Sequence, residues 1–158
     1  MSDASPITEE GALSSIKMET SRFGIMEFPQ SQVVTVLGGI IGFPQLTRYV
    51  LIQRPNDAPF YWLQSVDDPT LALVLVNPVL FKPNYNPSLP EGIYGELKAE
   101  NTEISLFAIV TIPPGRPQDM TANLLGPLII NPSSRLARQL VLDDRLYTHR
   151  QPIMADPS

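Results

Sequence analysis

A chain of 158 residues with no cysteine and a single histidine has room for one domain, and it excludes disulfides, thiolate nucleophiles, iron-sulfur clusters and Cys- or multi-His-ligated metals. Eleven Lys and Arg against 16 Asp and Glu leave a net charge of -5, which repels polyanions, so no direct nucleic-acid partner is expected. The hydrophobic fraction of 43% fills one core, while 17 prolines leave gaps of strand length and rule out long helices, which points to an all-β domain.

Residues 1–14 are rich in Ser, Ala, Thr and acid and are expected to form a flexible arm outside the core. They carry Asp3, Glu9 and Glu10 with no Lys or Arg and no apolar stretch behind them, so they do not read as a signal peptide, and a cytoplasmic location is expected. The single domain is expected over residues 15–152, with 153–158 as a tail. Ile16, Met18 and Thr20 alternate with Lys17, Glu19 and Ser21, and Gly24 interrupts before Ile25 and Phe28, which fits a bent strand or hairpin. The β-branched run 33–36 ends at Gly38 and Gly39. No Lys-Ser/Thr pair follows those glycines, so the stretch through Gly42 and Pro44 is a turn-rich crossover and not a phosphate loop.

Residues 49–53 and 60–66 read as paired strands joined by a loop with Pro55, Asn56, Asp57 and Pro59. The run 71–76 is apolar at every position and is expected to be the central strand, covered on both faces. Residues 81–90 hold three prolines and are irregular, while Leu89, Pro90 and Glu91 open a short helix to about Lys98, weakened by Gly92 and Gly95. Residues 103–112 form another apolar strand, stopped by Pro113, Pro114 and Pro117; no apolar run reaches the roughly 18 residues of a membrane span, and no membrane contact is expected. Gly126 and Pro127 break the strand 124–131, implying an edge position or a bulge. Residues 136–142 fit a last strand better than a short helix, because Leu140, Val141 and Leu142 lead into an Asp143-Asp144 turn.

Chemistry has few candidates. A hydrolase would use His149 with Ser133 or Ser134 and Asp143 or Asp144, but His149 stands between Arg145 and Arg150, and no nucleophile elbow precedes it. No catalysis and no cofactor or metal is expected. The pairs Asp67-Asp68 and Asp143-Asp144 read as solvated turn acids, since adjacent residues of a strand point to opposite faces. Polar Gln64, Ser65, Thr121 and Asn123 beside apolar Met120 and Leu124 have the anatomy of a protein interface, with loop stabilisation as the alternative.

The residues Trp62-Leu63-Gln64-Ser65-Val66-Asp67-Asp68-Pro69, Asn77-Pro78, Val110-Thr111-Ile112-Pro113 and Met120-Thr121-Ala122-Asn123-Leu124, with Pro127, Asn131 and Gln139-Leu140-Val141-Leu142-Asp143-Asp144 through Tyr147, resemble the flagellar assembly factor FliW family from about Ile16 to Pro152. The resemblance implies a small antiparallel β-barrel-like domain with one or two short helices, monomeric when free. It also implies two alternative protein partners: the RNA-binding translational regulator CsrA, whose RNA binding the protein antagonises, and flagellin. Partner contacts are then expected at Gln64, Ser65, Asp67, Asp68, Met120, Thr121 and Asn123. Glu96, Glu100 and Glu103, with Asp67 and Asp68, are expected to supply a negative field that disfavours RNA. A generic β-barrel adaptor or chaperone unrelated to flagella is the competing reading.

Overall fold

A computed structural model describes residues 15–99 and 104–154. Between the prolines, the β-branched and aromatic runs form ten strands among the described residues. They are β1 (Ser15–Thr20), β2 (Gly24–Pro29), β3 (Val33–Val36), β4 (Arg48–Ile52), β5 (Phe60–Ser65), β6 (Ala72–Val76), β7 (Ser105–Thr111), β8 (Thr121–Asn131), β9 (Leu136–Gln139) and β10 (Gln151–Pro152). One α-helix, α1 (Ile93–Glu96), and 3-10 turns at Gln30–Gln32, Pro78–Leu80 and Pro117–Asp119 complete the regular structure. The helix expected from Leu89 to Lys98 shrinks to this single turn. Gly92 (φ +87°) starts it in the left-handed region, and Lys98 (φ +55°) ends it there.

Seven strands close into a barrel in the order β8-β7-β6-β5-β4-β3-β9, and β9 pairs back onto β8. An odd number of strands cannot alternate direction all the way round a closed ring, so one neighbouring pair has to run parallel. That pair is β3 with β9, joined only at Thr35–Leu136 and Val36–Ala137. The antiparallel barrel expected from the sequence is therefore present with one parallel seam. A ring has no central strand, which corrects the place given to residues 71–76. Leu75 nonetheless faces the interior and Val76 the outside, and both are buried.

The interior is filled by Val34, Val36, Ile40, Tyr49, Leu63, Leu75, Phe107, Leu128, Ile130 and Ala137. Outside, Tyr85 and the half-buried Phe81, Tyr147 and Ile153 cover Val76, Ala108, Val110, Ala122 and Leu124, so the first residue of the expected tail, Ile153, packs on the barrel. A second outer cluster sets Ile93 and Leu97 against Ile129 and Leu140. The β1–β2 hairpin lies across β5: Phe23 meets Trp62 edge-on at 5.8 Å, Arg22 stacks 4.3 Å over the same indole, and Ser21 N–H donates to Pro69 O at 3.0 Å.

Two buried tyrosines make the fold sensitive to alkali. Tyr85 Oη donates to Leu124 O at 2.6 Å, whereas Tyr49 Oη has no hydrogen-bond partner among the described residues. Burial raises both phenol pKa values, Tyr49 to about 12 with help from the Asp67 and Asp68 charges, and Tyr85 further, next to Tyr147 and Asp144. Above pH 10 the unfolded chain ionises these phenols while the folded chain does not, so the unfolded state binds fewer protons and stability falls as pH rises toward 12. Urea unfolding at pH 8 to 12 should show this loss, reduced in Tyr49→Phe. At neutral pH Tyr85→Phe should cost about 1 kcal/mol and Tyr49→Phe less, because only the first gives up a hydrogen bond.

Candidate functional site

The β5–β6 and β7–β8 connections leave the barrel at the same rim. Gln64 pairs with Ala72, Val74 with Val110 and Thr111 with Thr121, so the connections 66–71 and 112–120 belong to neighbouring hairpins, and β5 and β8, which carry Gln64 and Thr121, are three strand spacings or about 14 Å apart. The sequence-derived contact residues are thereby brought to one end of the molecule, in two groups that do not touch within the ladder.

In the first group, display and support are divided between residues. Gln64 and Ser65 are fully buried, which corrects their placement on an exposed contact surface. Gln64 Nε2 donates to Ser65 O at 3.0 Å and Leu71 O at 3.1 Å, and Ser65 Oγ accepts from Asp67 N at 3.2 Å and Asp68 N at 2.9 Å. Together they bind the turn that displays the two acids. Asp67 forms a two-pronged pair with Arg48, at 2.6 and 3.2 Å. The Asp68 carboxyl accepts from the Thr70 hydroxyl at 2.7 Å and its N–H at 3.0 Å, which holds its pKa below the usual carboxylate range.

The second group is built on a bulge. Phe107 pairs with Leu128 and Ile109 with Asn123, so four residues, Leu124 to Pro127, stand opposite the single Ala108. The extra residues reverse which side chains point inward: Ala122 and Leu124 pack outside the barrel, Leu128 and Ile130 inside. Asn123 Oδ1 accepts from Leu125 N at 2.9 Å and Gly126 N at 3.0 Å. Gln139, to which the sequence alone assigns no role, clamps the same bulge by donating to Gly126 O at 2.9 Å while accepting Ile41 N–H at 2.8 Å. Only the Gly-Pro break signalled a bulge, and nothing local marked its partner 13 residues on. Met120 is buried beneath the rim, and Thr121 is half-buried. Asn123→Ala should lower the melting temperature by about 3 °C as two backbone donors lose their acceptor. Unchanged affinity for protein partners under the same conditions would assign Asn123 to the bulge alone.

Thr121 also lines a concavity of about 590 Å³ with Thr111, Pro113, Arg116, Asp119, His149 and Arg150. No serine lines it, and Ser134 Oγ is committed to Leu97 O at 2.7 Å, so the residues considered for a hydrolase do not converge on His149. Among the described residues no group of three or more His, Asp or Glu is placed to hold a metal ion.

The charge distribution differs from an even acidic surface. All eleven Lys and Arg fall among the described residues, whereas six of the sixteen acids, Asp3, Glu9, Glu10, Glu100, Glu103 and Asp156, fall outside them. The described part is thus close to neutral, and the negative excess resides in those three stretches. Of the acids expected to provide the field, Glu96 pairs with Arg138 at 3.3 Å and Asp67 with Arg48, Asp68 is half-buried with its carboxylate bonded to Thr70, and Glu100 and Glu103 lie outside the described residues.

The FliW protein family model matches residues 17–153. The chain is 42% identical over 137 residues to the flagellar assembly factor FliW of Bdellovibrio bacteriovorus, covering 86% of this chain and 78% of that one. It is 39% identical over 142 residues to the flagellar assembly factor FliW of Moorella thermoacetica, covering 89% and 90%. Its fold matches a crystal structure of the flagellar assembly factor FliW with a TM-score of 0.82 at 30% identity, over 90% of this chain and all of the other.

Proposed function

The chain belongs to the FliW family of flagellar assembly factors, and from that premise we propose that it is a non-enzymatic partner switch, binding either flagellin or the translational regulator CsrA. While flagellin is abundant it occupies the protein. When export drains flagellin, the freed protein binds CsrA and lifts repression of the flagellin message. The observation that supports this reading most is the shared rim, where Asp67 and Asp68 on one loop and Thr121 at the start of β8 offer polar contacts at one end of the barrel. The protein acts in the cytoplasm and as a monomer when free; among the described residues no helix is long and apolar enough to cross a membrane.

Two competing partners need only differ in affinity, and about 1.4 kcal/mol changes their ratio tenfold. The test is calorimetric titration with purified CsrA and with flagellin, singly and in competition. Flagellin is expected to block CsrA binding, and simultaneous saturable binding of both would defeat the switch.

RNA displacement by like-charge repulsion makes a second expectation. Replacing Asp68, Glu100 and Glu103 by Asn or Gln should weaken RNA displacement from CsrA more than it weakens CsrA binding, and added salt should shrink the difference. Proportional losses in both would favour displacement by shape alone.

A further inference from the structure

The barrel seam between β3 and β9 closes for only two residue pairs before β3 turns away. After Leu37 N–H reaches Ala137 O at 2.8 Å, Gly38 (φ +80°) and Gly39 (φ +72°) carry the chain off the barrel wall. The β9 chain keeps running beside β8: Leu140 N–H donates to Pro127 O and Leu142 N–H to Leu125 O, both at 2.8 Å. Backbone groups of an extended chain alternate in direction, so those of Gln139, Val141 and Asp143 point to the side that β3 has vacated. Their N–H groups have no acceptor among the described residues. Val141 is 77% exposed and Ile41, on the loop whose N–H the Gln139 side chain binds, is 65% exposed. Asp143 and Asp144 stand at the far end of this open edge, while Arg138 at its near end is held by Glu96.

We propose that the edge Gln139–Val141–Asp143 is a docking site for an extended segment of a protein partner, added as a strand beside β9, with an apolar residue against Val141 and Ile41 and a basic residue beside Asp143. Unpaired donors and acceptors at two-residue spacing recognise a strand backbone, and the two acids select the basic end. The alternative use of such acids is to keep other strands away from the edge. This inference rests on the partner-binding reading above and assigns it a surface.

The test compares three chains, unaltered, Val141→Pro and Val141→Thr, in calorimetric titrations with purified CsrA and with flagellin. The proline deletes an edge donor that no described residue uses, while threonine keeps both the N–H and the β-branch. Val141→Pro is expected to lose about tenfold or more in affinity for one of the two proteins, with Val141→Thr close to the parent. Hydrogen exchange of the unaltered chain supplies a readout independent of the variants: the amides of Gln139, Val141 and Asp143 should be protected in that complex. Parent-like binding by Val141→Pro, equal losses in both variants, or unprotected amides in the complex would overturn the strand addition alone. So would a free protein that sediments as a dimer with those amides already protected, since a second copy would then fill the edge. Failure of the unaltered chain to bind either protein would overturn the partner-switch reading and this inference with it.

Discussion

Leu75→Asp should abolish cooperative folding or lower stability by about 4 kcal/mol or more, a large part of the roughly 5 to 15 kcal/mol that holds a domain together. Leu75 has no exposed surface and packs in the interior cluster that includes Val34, Tyr49, Leu63 and Phe107. A carboxylate there has no described cation to pair with and must either stay protonated or open the barrel. Leu73, two residues nearer the rim on the same face, is only half-buried, so Leu73→Asp can turn toward water and should cost about 1 to 3 kcal/mol. Urea unfolding followed by circular dichroism, with the fluorescence of the single Trp62 as a second probe, measures both. A parent-like midpoint for Leu75→Asp would mean that β6 does not line the interior.

That contrast shows where the sequence is informative. Every residue of 71–76 is apolar, which signals two covered faces, but the grading of burial from Ala72 to Val76 depends on what packs at each level: outside, Phe81 and Tyr85 come from the segment that follows β6, whereas Tyr147 arrives from far along the chain and no local pattern marks it. Strands bounded by Pro and Gly were legible for the same local reasons that form them, as was the break at Gly126 and Pro127. The parallel seam was not, because Thr35 and Leu136 are a hundred residues apart and no local pattern encodes their pairing. Gln64 and Ser65 read as surface residues because their types are polar. Their hydrogen bonds to the backbone of their own turn let them be buried, and those bonds appear only once the chain has turned at Asp68. The net charge of -5 was correct as a total and silent about place.

Gly39→Ala should be the most damaging of the small loop changes, although it adds a single methyl. Gly39 is already at φ +72°, where an L side chain is strained, and a Cβ there would lie 2.5 Å from Pro44 O and 2.7 Å from its Cα. Those are backbone atoms and cannot swing aside as the tip of a side chain would. The loop that would have to give is tied at Gly39 N–H to Val36 O (3.0 Å) and at Phe43 N–H to Ile40 O (2.7 Å), and it holds Ile40, 3% exposed, in the barrel interior. Moving Pro44 or Gly39 therefore drags Ile40 from the core and pulls Ile41 away from Gln139. The combined cost of strain and repacking is about 2 to 4 kcal/mol, or a melting temperature lower by about 5 °C or more. Gly42→Ala is the matched comparison: Gly42 sits at φ +95° with nothing within 4 Å of the added Cβ, so it should lose only the backbone preference, about 1 kcal/mol. Calorimetric melting of both variants separates the two causes. Equal shifts would mean that the left-handed backbone accounts for the whole effect, and that the approach of Pro44 to Gly39 does not hold the crossover against the barrel.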